Sequence, residues 1–268
     1  MSSTLSKALL LSFLVPLLVI SSIGVISPAG YQQQTLVNSH KGGGRSFTCP
    51  TISGADTSTC STNWSGYADT GSGVSAVSGS WVVPAISCPK HGTSYVAIWV
   101  GIDGYTSSTV EQTGTLGQCS NGVASYSVWY EFYPAGSVTI SGVTASPGSP
   151  ITASVTYSSS GFTATITNTK TAESFSTTQT VSGAARSSAE WVVERPELCS
   201  FIRCQLSTLA NFGSVSLTSS SATINGVTGP INTFTDVAIT MVGSSTGPIL
   251  AEPSSLSTDG TSFSVAYH

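Results

Sequence analysis

The chain has 268 residues, a formal net charge of −4 at pH 7 and a charged fraction of only 7%, against about a quarter in ordinary domains. The lack of a basic patch argues against nucleic acid as a partner. Few charges also mean few paired carboxylates to protonate and little charge repulsion in acid, so the composition permits work at low pH.

The N-terminal residues predict export. One charge, Lys7, precedes an apolar run that reaches Ile26, and small residues follow at 27–30. We therefore assign 1–30 to a signal peptide that directs a secreted, extracellular protein, with a retained N-terminal anchor as the alternative. After signal removal no stable membrane partner is expected. Residues 31–60 are polar and glycine-rich, which is typical of a prosegment or linker.

From residue 61 to 268 the sequence predicts one all-β domain. Val, Ile, Thr, Ser, Tyr and Trp alternate with a period of two between turn signals, and no amphipathic helix or fixed repeat is present. This pattern indicates an antiparallel β-sandwich of jelly-roll (concanavalin-like) type. The predicted strands are, in chain order, Gly79–Val83, Tyr95–Ile102, Tyr126–Tyr133, Ser137–Gly142, Ile151–Ser158, Phe162–Asn168, Ser174–Val181, Ala189–Glu194, Ser214–Leu217, Val237–Val242 and Ser262–Tyr267.

The six cysteines of an exported chain favour disulfides over metal or redox sites. No CxxC or Cys/His spacing indicates zinc, and we expect neither a metal nor a cofactor. Six cysteines allow fifteen connectivities. Proximity in the chain favours three local pairs, namely Cys49 with Cys60, Cys88 with Cys119, and Cys199 with Cys204.

Two segments offer a complete hydrolytic mechanism. In WVGIDGYTSSTVEQTG (Trp99–Gly114), Gln112 lies in a predicted Glu-Gln-Thr-Gly turn, and SAEWVVE (Ser188–Glu194) supplies a glutamate. An amide can donate a hydrogen bond to a developing oxyanion at any pH, and a carboxylate can accept a proton from water. On residue chemistry alone, however, a Gln and a Glu are far more often surface residues than a catalytic pair.

Strand parity places acidic and aromatic side chains together. Residues two apart in a strand share a face, so three segments each predict a face with such groups. This face forms either the floor of a cleft or an ordinary solvated surface. The three sets are Trp129, Glu131 and Tyr133; Glu190, Val192 and Glu194; and Trp99, Gly101 and Asp103.

Other chemistries are less complete. Glu131 paired with Glu194 or Glu190 would suit a glycan-cleaving enzyme, so a carbohydrate-binding or glycan-cleaving jelly roll is the alternative function. A structural exported β-protein is a third reading. No HExxH motif is present. Asn63-Trp64-Ser65 fits a glycosylation sequon.

Five motifs occur in a recognisable order. They are NWSGY (Asn63–Tyr67), WVGIDG (Trp99–Gly104), EQTG (Glu111–Gly114), WYEFYP (Trp129–Pro134) and SAEWVVE (Ser188–Glu194). This series resembles the glutamic peptidases, or eqolisins, over the region from Asn63 to the C terminus. LANFG and ITMV, at 209–213 and 239–242, are similar to the prokaryotic branch of that family.

The resemblance implies a bent sandwich of two antiparallel sheets and an acid-active endopeptidase that acts on protein or peptide substrates. The family's catalytic pair falls on Gln112 and Glu194. Cys199 and Cys204 match a family loop disulfide, although the loop is shorter here. The spacing from Asp103 to Gln112 is one residue shorter than in fungal members. Matching cleft or supporting positions, which we predict to contact substrate together with Glu190, are Trp64, Trp99, Asp103, Glu131 and Tyr133.

These assignments carry three further expectations. Free Glu has a pKa of about 4.3, so a base that works in stronger acid needs its anion stabilised, and a hydrogen bond from Gln112 to Glu194 would do so. Glu131 and Glu190 are expected to be protonated at the working pH. The protein is expected to be a monomer.

Overall fold

The computed structural model describes residues 49–199, 204–244 and 247–268. The predicted signal peptide and most of the predicted prosegment lie outside these residues. Regular structure in the described residues is strand throughout, apart from one 3-10 turn at Ile231–Thr233. The strands are β1 Thr57–Ser61, β2 Trp64–Thr70, β3 Val74–Val82, β4 Thr93–Ile102, β5 Val110–Ser120, β6 Val123–Tyr133, β7 Val138–Ile140, β8 Pro150–Ser158, β9 Gly161–Asn168, β10 Glu173–Gln179, β11 Ser188–Glu194, β12 Glu197–Cys199, β13 Cys204–Leu206, β14 Ser214–Ile224, β15 Val227–Gly229, β16 Thr235–Val242, β17 Ile249–Pro253 and β18 Phe263–Tyr267.

One continuous strand path forms two layers. Its order is β10-β9-β8-β3-β14-β18-β17-β16-β2-β11-β4-β5-β6-β7, with antiparallel pairing along the whole path. Along this path, we call the strands from β16 to β7 the front layer and the strands from β10 to β18 the back layer. Strand β17 lies between the two layers in this order. The Trp191 indole donates to the carbonyl of Ser78 at 2.7 Å, and the Trp81 indole donates to Thr115 Oγ1 at 3.0 Å. These bonds join the inner faces, and the predicted all-β sandwich is confirmed.

Both faces of the front layer carry a cluster of buried apolar side chains. Its inner face contributes residues such as Val100, Trp191 and Val193 to the main core. Its outer face carries a second apolar cluster that includes Trp64 and Trp99. The predicted catalytic residues lie on strands of this layer, so the second cluster forms their immediate surroundings.

The predicted turn at Glu111–Gly114 is wrong, because this segment lies inside β5. A Cβ atom at Gly114 would meet the carbonyl oxygen of Ile98 and would come within 2.6 Å of the Trp99 Cβ. The glycine therefore permits close approach of two strands rather than a reversal of the chain.

Part of the predicted linker belongs to the sandwich. β1 pairs in parallel with β16, and Cys60 at its end is completely buried. A disulfide joins Cys60 to Cys49. The domain therefore includes residues that were assigned to the segment 31–60.

All three expected disulfides are present. Besides Cys49–Cys60, Cys88 pairs with Cys119 at the end of β5, and Cys199 pairs with Cys204 across the β12–β13 hairpin. In the described residues, none of the helical structure is long and apolar enough to cross a membrane.

Candidate active site

Gln112 lies in a row of directly paired residues that crosses the front layer. It is opposite Glu131 on β6 and opposite Gly101 on β4, and Gly101 is in turn opposite Glu190 on β11. Residues paired directly across strands point to the same face of a sheet. The side chains of Glu131, Gln112 and Glu190 therefore share the outer face of the front layer, as parity predicted for the two glutamates.

Glu194 lies on the same face, two rows further along β11. It is opposite Ala97 on β4 and opposite Trp64 on β2. The intervening row contains Trp99, which is opposite Val192. The two predicted catalytic side chains thus belong to one face, and Trp99 lies in the row between them.

The Gln112 amide is held by a carboxyl group. Its Nε2 donates to Glu131 Oε2 at 2.7 Å, and its side chain is only 3% exposed. Its Oε1 accepts no hydrogen bond from the described residues. The expected hydrogen bond from Gln112 to Glu194 is wrong, since the amide nitrogen bonds to Glu131 instead.

Both carboxyl oxygens of Glu194 accept a hydrogen bond from a neutral donor. Trp99 Nε1 donates to Oε2 at 2.8 Å, and Asn63 Nδ2 donates to Oε1 at 3.3 Å. The pKa of Glu194 is raised to about 7, mainly by burial; hydrogen bonds from Trp99, Asn63 and Trp64 act to lower it, and the charge of Glu197 acts to raise it. Neutral donors thus only partly offset the desolvation of the carboxylate.

Two tryptophans pack edge to face beside the Glu194 carboxyl. The ring centroids of Trp64 and Trp99 are 4.9 Å apart, with an interplanar angle of 78°. A Cβ atom at Gly101 would lie 2.9 Å from the Trp99 ring and 3.1 Å from the Gln112 Cβ. The Trp99 indole therefore extends from the neighbourhood of Gln112 to Glu194, and only glycine leaves room for it.

The Asp103 carboxylate accepts hydrogen bonds from the segment that precedes β11. Its φ of 68° ends β4, and its carboxylate accepts hydrogen bonds from the Arg186 N–H at 2.7 Å and the Ser187 N–H at 2.9 Å. The Ser187 hydroxyl adds a bond at 3.0 Å. Both oxygens are engaged by the chain itself, so the structure gives Asp103 a supporting position instead of the predicted substrate contact.

Glu190 and Tyr133 differ in exposure. Glu190 is completely buried, and this burial raises its pKa well above the usual value, with smaller contributions from Asp103 and Glu111. It is therefore protonated in acid, as expected. Tyr133, at the end of β6, is half-buried and packs against the second apolar cluster. Of these two predicted contact residues, only Tyr133 lies where a substrate has direct access.

The sequence profile of the peptidase A4 family matches residues 62–267. The chain belongs to the peptidase A4 family. This family comprises glutamic-type endopeptidases, for which acid activity is typical, so the chain is a peptide hydrolase. Aspergillopepsin-2 of Aspergillus niger is 34% identical over 241 residues, which cover 81% of each chain. Scytalidopepsin B of Scytalidium lignicola is 32% identical over 180 residues, which cover 64% of this chain and 67% of the relative.

Solved structures of A4 peptidases have the same fold. Scytalido-glutamic peptidase with a transition state analog inhibitor matches with a TM-score of 0.67 and 30% identity, covering 77% of this chain and 98% of the other. Aspergilloglutamic peptidase from Aspergillus niger matches with a TM-score of 0.55 and 32% identity, covering 65% and 99%. These matches favour a peptidase over the carbohydrate alternative.

One residue of this A4 peptidase site was missed by sequence reasoning. Asn63 was interpreted only as part of a motif and as a glycosylation sequon, yet it is 1% exposed and donates to Glu194. A buried amide so engaged is not an acceptor for a glycan in the folded chain. Its position immediately before Trp64, which is opposite Glu194, would have identified it if the pairing of β2 with β11 had been predicted.

Proposed function

We propose that this A4 peptidase hydrolyses protein and peptide substrates in acid with Glu194 as general base and Gln112 as oxyanion donor. A water molecule attacks the scissile carbonyl while Glu194 accepts its proton, and the protonated carboxyl then delivers that proton to the leaving amine. The observation that carries the proposal is the placement of both side chains on one face, with the two Glu194 oxygens held by N–H donors.

The hydrogen bonding of Gln112 suits this role. The Nε2 group has two hydrogens, of which Glu131 takes one, so the second is left for the oxyanion. The unpartnered Oε1 can accept a hydrogen bond from the attacking water. Glu131 thereby acts as a positioning residue that orients the amide. Loss of one such donor typically costs about 10²–10³ in rate.

The raised pKa of Glu194 gives the attacking water a second task. With a pKa raised to about 7, Glu194 holds its proton over most of the acid range, and a protonated carboxyl is no base. A water molecule that donates a hydrogen bond to the carboxylate lowers this pKa. The attacking water therefore also favours the ionised form of the base.

We also propose that the peptidase is exported. The N-terminal pattern of residues 1–30 and the three disulfides fit an oxidising compartment. We further propose that the protein is a monomer after its signal peptide is removed.

The test is an acid digestion of a denatured protein substrate by wild type, Glu194→Gln and Gln112→Ala. Each variant should lose at least about 10² in rate while its near-ultraviolet circular dichroism stays native. Wild-type turnover in either folded variant would contradict the proposed pair. Saccharide affinity, with peptidase activity that does not depend on Gln112, would instead favour the carbohydrate alternative.

A further inference from the structure

Asn63 touches the catalytic strand at two points. Its Nδ2 donates to Glu194 Oε1 at 3.3 Å, and its main-chain carbonyl accepts the N–H of Arg195 at 2.8 Å. The Arg195 side chain also donates, from Nη2, to the carbonyl of Thr62 at 2.8 Å. The segment before β2 therefore holds the end of β11 by side chain and main chain together.

The Asn63 amide has one permitted orientation. Ser61 Oγ accepts the N–H of Asn63 at 3.2 Å and that of Trp64 at 3.1 Å, so both of its lone pairs are used. Its own hydrogen must then go to Asn63 Oδ1, which is 2.9 Å away. With Oδ1 fixed as the acceptor, Nδ2 must face Glu194. Ser61 is completely buried, so water does not compete for these bonds.

We propose that Asn63 is a positioning residue for the general base, with an amide that Ser61 locks and that fixes the carboxyl group of Glu194 facing the cleft. Two donors on different oxygens fix the plane of a carboxyl group. Trp99 supplies the donor on Oε2 and Asn63 the donor on Oε1, so together they fix the plane of the Glu194 carboxyl group. This inference rests on the proposed role of Glu194 as base.

Loss of the Asn63 amide has a specific kinetic consequence. Its N–H bond favours the ionised carboxylate, so its removal makes Glu194 harder to ionise. Glu197, the charged group that acts on Glu194 through space, is unchanged in every variant described below. The acid limb of the kcat/KM profile should therefore move to higher pH.

The experiment compares Asn63→Ala with Asn168→Ala as a matched control. Asn168 is equally buried, at 1% exposure, and its Nδ2 donates to the Thr144 carbonyl at 2.8 Å, away from the site. Asn63→Ala should shift the acid limb upward by about one pH unit and lower kcat/KM about tenfold on that limb. Asn168→Ala should lose stability without any shift. An unshifted limb in folded Asn63→Ala would overturn the proposal.

A second variant and a second readout keep the test decisive. Asn63→Leu keeps the size of the side chain but removes the donor, and it should shift the limb in the same direction if the alanine variant does not fold. In ¹³C-labelled protein, the Glu194 Cδ resonance, assigned by its loss in Glu194→Gln, should titrate about one pH unit higher in either variant. An unchanged midpoint would refute the positioning role. An active Glu194→Gln enzyme would instead refute the base itself, so the two failures are distinguishable.

Discussion

Glu194 is surrounded by neutral donors. The Trp99 indole and the Asn63 amide bond to its two oxygens, and Glu197, the nearby charge that acts on it, opposes ionisation. Neutral donors stabilise an anion less than a paired cation does, so burial still raises the pKa of this carboxyl to about 7. Each donor therefore lowers the pKa of Glu194 and extends to lower pH the range in which this carboxylate can accept a proton.

Trp99→Phe removes the indole donor but keeps an aromatic ring over Gly101. The remaining donors stabilise the Glu194 carboxylate less, so its pKa should rise and kcat/KM in acid should fall by about tenfold. The loss should shrink as the pH approaches neutrality. A pH profile of kcat/KM checks this expectation, and a loss that is equal at every pH would show that Trp99 acts only by packing.

At the residue scale, short motifs identified the proposed catalytic pair but not its hydrogen bonds. Gln112 and Glu194 follow from QTG and SAEWVVE, which are local in the chain. Asn63 and Glu194 are 131 residues apart, and Gln112 and Glu131 are 19 apart. Such contacts depend on the register of strands that are distant in sequence, which no local pattern specifies.

At the scale of the element, β5 shows why a strand was interpreted as a turn. Glycines at 114 and 117 resemble turn signals, yet both lie within a strand that pairs on both sides. Space, not chain reversal, requires Gly114, since Ile98 and Trp99 occupy the position of its Cβ. Glycine has both uses, and only the packing distinguishes them.

Gly114→Ala should therefore destabilise the fold by about 2–3 kcal/mol, because the added methyl group forces β4 and β5 apart. Gly142→Ala is the matched control, since nothing lies within 4 Å of its Cβ position. Urea unfolding monitored by tryptophan fluorescence measures both. Equal stability of the two variants would show that β5 tolerates separation from β4.

Strand β1 lies at the end of a polar, glycine-rich stretch whose composition did not predict a strand. Its five residues pair in parallel with β16, which lies far away in the sequence. Parallel pairing of a short segment has no local turn signal. The sequence alone therefore placed the start of the domain at residue 61, at the end of this strand. The same segment ends at Ser61, which orients Asn63.

At the scale of the whole molecule, the sandwich buries carboxyl groups that need to be protonated. Asp69 and Asp236 are directly opposite one another on β2 and β16, and both are buried. Burial, together with the charges of Asp236 and Asp56, raises the pKa of Asp69 to about 9. Burial likewise raises the pKa of Glu111 to about 9 on the inner face of β5. These groups are compatible with the fold when they are neutral.

The pH dependence of stability follows from Asp69. In the unfolded chain its pKa is about 3.9, so below that pH both states hold the proton and the fold has its full stability. As the pH rises toward the folded value of about 9, the unfolded state releases the proton first. The free energy of unfolding then falls by up to about 1.4 kcal/mol per pH unit for this group.

Asp69→Asn removes this titration while it keeps the size of the side chain. The variant should match the wild type in thermal unfolding at pH 3 and should unfold at a higher temperature at pH 7. Scanning calorimetry at the two pH values measures both effects. A variant that is less stable than the wild type at pH 7 would mean that Asp69 is ionised in the native protein.

The outer face of the back layer carries rows of hydroxyl groups, which fits the low charge content of the sequence. Thr163 with Thr178 and Thr165 with Ser176 form cross-strand hydrogen bonds of 2.8 and 3.0 Å. Hydroxyl pairs do not titrate in the range that acid peptidases encounter. Composition could therefore predict tolerance of acid, but the buried carboxyl groups that limit stability near neutrality depend on tertiary pairing.

The central claim is that Glu194 is the base, and the most direct test compares Glu194→Gln with Glu111→Gln at about pH 4. Both side chains are buried, but Glu111 lies on the opposite face of the front layer and is neutral in acid, where Gln replaces it closely. We predict that kcat/KM falls at least about 10² in Glu194→Gln and keeps the wild-type value in Glu111→Gln. A folded Glu194→Gln enzyme with wild-type kcat/KM would contradict the account.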